Sequence, residues 1–121
     1  MAQLLYLSKR ASTDIQLAVS FLCTIIRGTE TDDYKKLARV MNYIQGTIFL
    51  PLIFLIDKSG GIKWYVDAEF SVHKDMRSHT GGLMTMVKGG AYVKSRKQKL
   101  NTKSSTEAEL VGVDDVLTHV I

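Results

Sequence analysis

Lys63-Trp64-Tyr65-Val66-Asp67-Ala68-Glu69 is the stretch on which the reading of this 121-residue chain turns. Aromatic and β-branched side chains alternating with polar ones predict an extended strand. Successive strand side chains point to opposite faces, so Lys63, Tyr65, Asp67 and Glu69 share one face and Trp64, Val66 and Ala68 the other. An acid among such neighbours is costly to bury unless it is paired or bound to a metal. On the residues alone, Asp67 has two readings: a carboxylate on a solvated strand face, or a ligand.

Downstream, Leu83 to Val87 and Ala91 to Ser95 predict two further strands, with Gly89-Gly90 turning between them. Ser104-Ser105-Thr106-Glu107 then opens a helix as a capping box. The predicted order is three strands and a helix. Glu109, near the start of that helix, is the second acid of interest. Its simpler reading is a helix-end acid, since carboxylates stabilise helix N-termini and a Thr106/Glu109 box could form.

Upstream the pattern is helical. Ser12 or Thr13 can cap a helix carrying Ile15, Leu17, Ala18, Val19, Phe21, Leu22, Ile25 and Ile26, stopped by Gly28. Thr31 caps a second, with Asp32 and Asp33 in its first turn, an apolar face of Tyr34, Leu37, Ala38, Met41 and Ile44, and Gly46 as its close. Leu4 to Leu7 reads as a short helix. Ile48 to Ile56 reads as extended, with Pro51 favouring an edge or bulge, and 57–61 as a turn. The fold class expected is α+β: a helical segment over 1–56, then a β-β-β-α unit with an antiparallel meander over 57–121.

The hydrophobic content of 45% with 23% charged residues fits a globular chain, not wholesale disorder. A net charge of +4 and a pI of about 9.2 suit a polyanionic partner. Six basic residues and no acid lie between Lys88 and Lys103. Of these, Lys94, Arg96, Lys97, Lys99 and Lys103, together with Ser104, are the candidates for contact with a nucleic-acid backbone. A solvated loop is the alternative. The lone Cys23 excludes an intrachain disulfide and reads as a small buried hydrophobe. His73 and His79 have neither cysteine partners nor helical ligand spacing, which argues against zinc. The longest apolar run, Thr47 to Ile56, is about half of a membrane span. No secretory leader is read at the N-terminus. The C-terminus stops inside an apolar helical pattern and reads as a cut.

Three blocks, Lys63 to Glu69, Arg77-Ser78-His79-Thr80-Gly81-Gly82, and Ser104 to Leu110, resemble successive parts of a copia-type retrotransposon ribonuclease H. Leu4 to Leu7, Asp14-Ile15 and Tyr34 to Thr47 resemble the end of the preceding reverse transcriptase. Ser12-Thr13 depart from the family, where a basic residue and proline are usual. The resemblance implies a fragment of a Pol polyprotein, with a truncated ribonuclease H-like unit following a polymerase connection segment. It implies Asp67 and Glu109 as catalytic ligands of two Mg²⁺ ions, which take hard carboxylate oxygens and act in pairs on phosphodiesters. The third carboxylate is expected beyond Ile121, so the fragment is expected to be inactive. The implied partners are an RNA–DNA hybrid and the flanking polyprotein segments, in an intracellular setting, with no membrane. Val113-Asp114-Asp115 is read as helix, not as a polymerase aspartate pair. A non-enzymatic nucleic-acid-binding relic or a connection module is the rival reading. Half a sheet also leaves an open edge, through which two copies could associate.

Overall fold

The computed structural model describes residues 1–56 and 61–120. Of the turn expected at 57–61, residues 57–60 therefore lie outside the described residues. The chain divides into two compact units, Met1–Ile53 and Phe54–Ile121, one of helices and one of a sheet with a helix. It is α+β.

The first unit runs α1 (Ala2–Arg10), a 3-10 turn (Thr13–Ile15), α2 (Gln16–Thr24), a second 3-10 turn (Ile26–Gly28) and α3 (Thr31–Thr47). Its core is Ile15, Val19, Leu22 and Val40, with Leu4, Leu5, Leu7, Cys23, Ile25, Leu37 and Ile44 packed around it. These are largely the apolar positions whose spacing predicted the helices.

The helix ends differ from expectation. Ser12 opens the 3-10 turn, not α2, because its hydroxyl donates to Asp14 Oδ1 at 2.7 Å and does not cap an α-helical amide. α2 ends at Thr24, whose hydroxyl donates to the Phe21 carbonyl at 2.7 Å, and the chain tightens before reaching Gly28. Glu30, not Thr31, caps α3 in a reciprocal box with Asp33, whose Oδ2 accepts the Glu30 amide at 3.0 Å. Gly46 does not close α3. The helix continues to Thr47, where the hydroxyl bonds the Tyr43 carbonyl at 2.8 Å.

In the second unit, β2 (Lys63–Glu69), β3 (His79–Thr85) and β5 (Gly90–Lys97) form an antiparallel sheet in the order β2-β3-β5. The stretch expected to be extended from Ile48 yields only β1 (Leu55–Ile56), which pairs with β4 (Val87–Lys88).

β3 begins at His79, earlier than the expected Leu83, and takes in Gly81 and Gly82. Gly82 sits in a strand because α4 (Ser105–Leu117) presses on it: a Cβ there would stand 2.9 Å from Val116 Cγ2. α4 buries Ala108, Gly112 and Val116, one per turn, and a Cβ on Gly112 would meet Ala68 at 3.2 Å. Gly89, at φ 80°, supplies the bend before β5. Ser104 caps α4 by accepting the Glu107 amide at 3.2 Å, while the Glu107 carboxylate takes the Lys103 amide at 2.7 Å. Among the described residues, no helix is long and apolar enough to cross a membrane.

Strand register settles the two faces of the sheet. Ala68 pairs with Thr80 and Thr80 with Arg96, and Val66 pairs with Gly82 and Gly82 with Lys94; this is the face α4 covers. The alternate face carries Lys63, Tyr65, Asp67 and Glu69 from β2, His79, Gly81 and Leu83 from β3, and Val93, Ser95 and Lys97 from β5.

Candidate functional site

Asp67 is exposed on the helix-free face, and its Oδ1 accepts the adjacent Ala68 amide at 2.9 Å. Glu109 is exposed beside the buried Ala108 on α4. Among the described residues no hydrogen bond or ion pair links the two acids, and no group of three or more His, Cys, Asp or Glu is arranged to hold a metal. Alternation turns Asp67 away from the face on which α4 lies.

The same alternation divides the basic stripe. Lys94 and Arg96 lie on the covered face and converge on Asp115: Lys94 Nζ donates to its carbonyl, and Arg96 Nη2 stands 3.1 Å from Oδ1. Thr80 Oγ1 donates to Asp115 Oδ2 at 3.2 Å. Burial, then the neighbouring Arg96, lowers the Lys94 ammonium pKa, and Asp115 opposes that. Lys97 points to the other face and pairs with Asp75. Lys99 and Lys103 follow the strand, the latter exposed, and Ser104 is committed to capping α4. A sequential run of cations thus becomes two separate sets, in which Arg96 and Lys97 pair with carboxylates and Lys94 with a backbone carbonyl.

The densest group of chemistry-bearing side chains lies elsewhere. His73 and His79 are 6% and 5% exposed, and His73 Nε2 stands 2.9 Å from His79 Nδ1. His79 Nε2 is 2.7 Å from Ser95 Oγ. Next to them Ser78 Oγ meets Thr102 Oγ1 at 2.8 Å, and the Gln98 amide donates to the Ser78 carbonyl at 2.9 Å. Gln98, fully buried, sends its Nε2 to Thr80 Oγ1 and to the Ala108 carbonyl, at 3.0 and 2.8 Å. This network joins the β2–β3 segment, the sheet and α4. Sequence reading set the histidines aside, because they flank a five-residue loop with neither cysteine partners nor helical ligand spacing. The available signal was His79-Thr80-Gly81-Gly82-Leu83 read as strand, which would have placed His79 opposite Lys97.

Ser95, His79 and His73 are spaced as a hydroxyl, a base and a group orienting that base. Basicity decides against that use. Burial, and then the His73 charge, lowers the His79 pKa to about 4, a poor match for a general base near neutral pH. Burial and then Lys97 lower the His73 pKa, and Asp75 opposes them.

In the first unit, Asp14, Ile15, Ala18, Arg39, Val40 and Tyr43 line an open cavity of about 320 Å³. Burial works to raise the Asp14 pKa, but hydroxyl bonds from Tyr43 and Ser12 hold it below the usual carboxylate value. Those bonds tie α3 to the start of α2, a structural role.

Comparison with known proteins finds a similarity to "Secreted RxLR effector protein 161" of Plasmopara viticola, 25% identical over 119 residues, covering 98% of this chain and 84% of the relative. No family model matches the chain. No solved structure matches it either. None of the five arginines here, at 10, 27, 39, 77 and 96, begins an Arg-x-Leu-Arg sequence.

These findings correct the sequence-based identification. The copia-type retrotransposon fragment, the ribonuclease H activity of a parent protein, and the relic or connection module weighed beside it do not stand, because the relative found is a secreted effector. The expected intracellular setting conflicts with the same finding. The structure supplies a reason why the three blocks were misleading. Lys63 to Glu69 is a strand, the Thr80-Gly81-Gly82 segment admits α4, and Ser104 to Glu107 caps it. Each block has a packing explanation that requires no chemistry.

Proposed function

We propose that this chain is a secreted, effector-type binding module, which acts by holding another macromolecule and not by turning over a substrate. The observation that carries this reading is the similarity to a secreted effector over 98% of the chain and 84% of the relative. The geometry is in keeping with it. His73, His79, Ser95 and Gln98 are engaged with one another and with the backbone, which suits holding a shape. The helix-free face offers Tyr65, 55% exposed, beside Leu83 and Val93, framed by Lys63, Asp67 and Glu69. An apolar centre with a charged rim is the usual composition of a protein-binding patch. β2 also ends the sheet, and an open strand edge accepts a further strand, from a partner or from a second copy.

Within this reading the meander-then-helix order is proposed as a ribonuclease H-like scaffold in topology alone. A hard cation at Asp67 and Glu109, and polyanion contact by the cations of Lys94 to Lys103, are subordinate proposals.

The test is quantitative capture of partners by the full chain and by Tyr65→Glu, each stabilised and compared by cross-linking mass spectrometry. A defined set of partners should fall by about tenfold with the variant, the loss expected from one central contact. The reading is lost if the chain shows saturable turnover of an ester, peptide or phosphodiester that a single polar substitution removes. It is also lost if Tyr65→Glu retains every partner.

A further inference from the structure

Residues 70–78 connect β2 to β3 and lie back across the helix-free face. His73 bonds to His79, and Asp75 pairs with Lys97, both partners standing on that face. Within the segment, Met76 donates its amide to the His73 carbonyl at 2.8 Å, and the His73 amide donates to the Arg77 carbonyl at 3.1 Å. Two non-glycine residues, Ser71 at φ 54° and Met76 at φ 62°, occupy left-handed backbone, which L side chains adopt at a cost. Two cross-sheet contacts hold this bent segment, His73 to His79 and Asp75 to Lys97.

We propose that residues 70–78 form an acid-released latch, which the His73–His79 pair keeps closed on the helix-free face and which a second proton on that pair opens.

Two neutral imidazoles make one N–H···N bond. Adding one proton keeps a donor on one ring and an acceptor on the other. A second proton leaves two donors and two positive charges face to face at 2.9 Å, and the bond cannot survive. Ser95 Oγ, on the far nitrogen of His79, can accept the proton of that nitrogen in either state. The charged groups around the pair are Lys74, Asp75 and Arg77 on the segment itself, Glu69 on β2 opposite His79, and Lys97 on β5. Burial and then Lys97 lower the His73 pKa, while Asp75 opposes them. Burial and then His73 lower that of His79 to about 4, so the latch is closed at neutral pH and releases as pH approaches that value. Release uncovers His79, Ser95 and Lys97. That the uncovered face then meets a partner rests on the binding reading above; the opening itself does not.

The experiment is amide hydrogen exchange by NMR on the full ¹⁵N-labelled chain, from neutral pH down to about 4, corrected for intrinsic rates, with ring titration followed in parallel. Amides of 71–77 should lose protection by about tenfold or more, while those of β3, β5 and α4 hold within about twofold. In His73→Gln, which retains a bonding group but does not titrate, the segment should stay protected over the same range. The latch is refuted if both rings titrate together near 6.5, the ordinary value. It is refuted equally if both become charged while 71–77 stays protected, or if His73→Gln opens with the same profile. Should the variant fail to fold, the wild-type ring titration and exchange decide the matter alone.

Discussion

Gly81 and Gly82 are neighbours in β3, yet adding one methyl group should act on them in opposite directions. At Gly82 the new Cβ would stand 2.9 Å from Val116 Cγ2 and 3.7 Å from Lys94 Cβ. Val116 is 2% exposed and held between α4 and the sheet, so it has little room to yield. Overpacking of this kind costs about 1–3 kcal/mol. The reduced freedom of the unfolded chain returns about 0.4–1 kcal/mol. Gly82→Ala should therefore destabilise by about 1–2 kcal/mol, a fall in Tm of about 4–16 °C for a domain of this size. At Gly81 the new Cβ would meet only the Asp67 carbonyl, at 3.8 Å, on the helix-free face. Gly81→Ala should gain about 0.5 kcal/mol. Urea denaturation of both variants, with Val116→Ala and the Gly82→Ala/Val116→Ala double variant, gives the comparison. The double variant should be less destabilised than the two single effects added, by about 1 kcal/mol. Equal losses at Gly81 and Gly82, or strict additivity with Val116, would refute the face assignment on which every site argument here depends.

The pH dependence of overall stability has a definite sign. His79 has a folded pKa of about 4 against an ordinary 6.5, so the unfolded chain binds more protons between those values. Its contribution is complete above 6.5 and is lost as pH falls toward 4, by about 1–2 kcal/mol after allowance for solvent screening. His79→Gln should flatten that part of a denaturation profile, and an unchanged slope would count against the buried pair. Gln98→Leu should cost about 1–2 kcal/mol, as measured by thermal melting, through loss of the two bonds its Nε2 donates to Thr80 and to the Ala108 carbonyl, offset in part by removal of its buried, unpartnered Oε1; a neutral result would show that the two terms cancel. On the proposal of a cation at Asp67 and Glu109, millimolar Mg²⁺ should raise Tm more in the wild type than in Asp67→Asn, and an equal response in the two would refute that site. Any binding of an RNA–DNA hybrid should show a log–log salt slope of about −3 or shallower, because Arg96 and Lys97 are already held by carboxylates and Lys94 by a backbone carbonyl. A slope near the value for six cations would mean that those pairs open on binding.

How far the sequence could be read depended on the range of the interaction being inferred. The period-two alternation of Lys63 to Glu69 is local, and both the strand and its two faces followed from it. The same holds for the α4 cap at Ser104. The start of β3 was not legible, since Gly81-Gly82 signals a turn unless Val116, more than thirty residues away, is known to lie above it. Helix ends were missed where a side chain had two possible partners: Ser12 bonds Asp14, and Glu30 takes the capping place that Thr31 was expected to fill. The spatial arrangement of the cation run was not legible for a related reason. Consecutive positions suggest one surface, but strand alternation sends Lys94 and Arg96 to one side and Lys97 to the other, and the acids that receive them, Asp115 and Asp75, come from distant segments.

The resemblance that guided the functional expectation failed at the same boundary between local pattern and spatial arrangement. A strand with an acid, a glycine pair and a capped helix with an acid satisfy a β-β-β-α packing scheme whether or not they carry out chemistry. Catalysis asks more of them, namely that the acids share one face. Here the helix packs against Ala68, and Asp67 and Glu109 are both exposed. One buried polar group, His73 and His79 with Ser95, lies on the opposite side of the sheet from α4, while Thr80 and Gln98 bond α4 itself. That placement makes the helix-free face the region where charge state, loop position and exposed apolar surface act on one another. A function that works by presenting or withholding a surface draws directly on that placement.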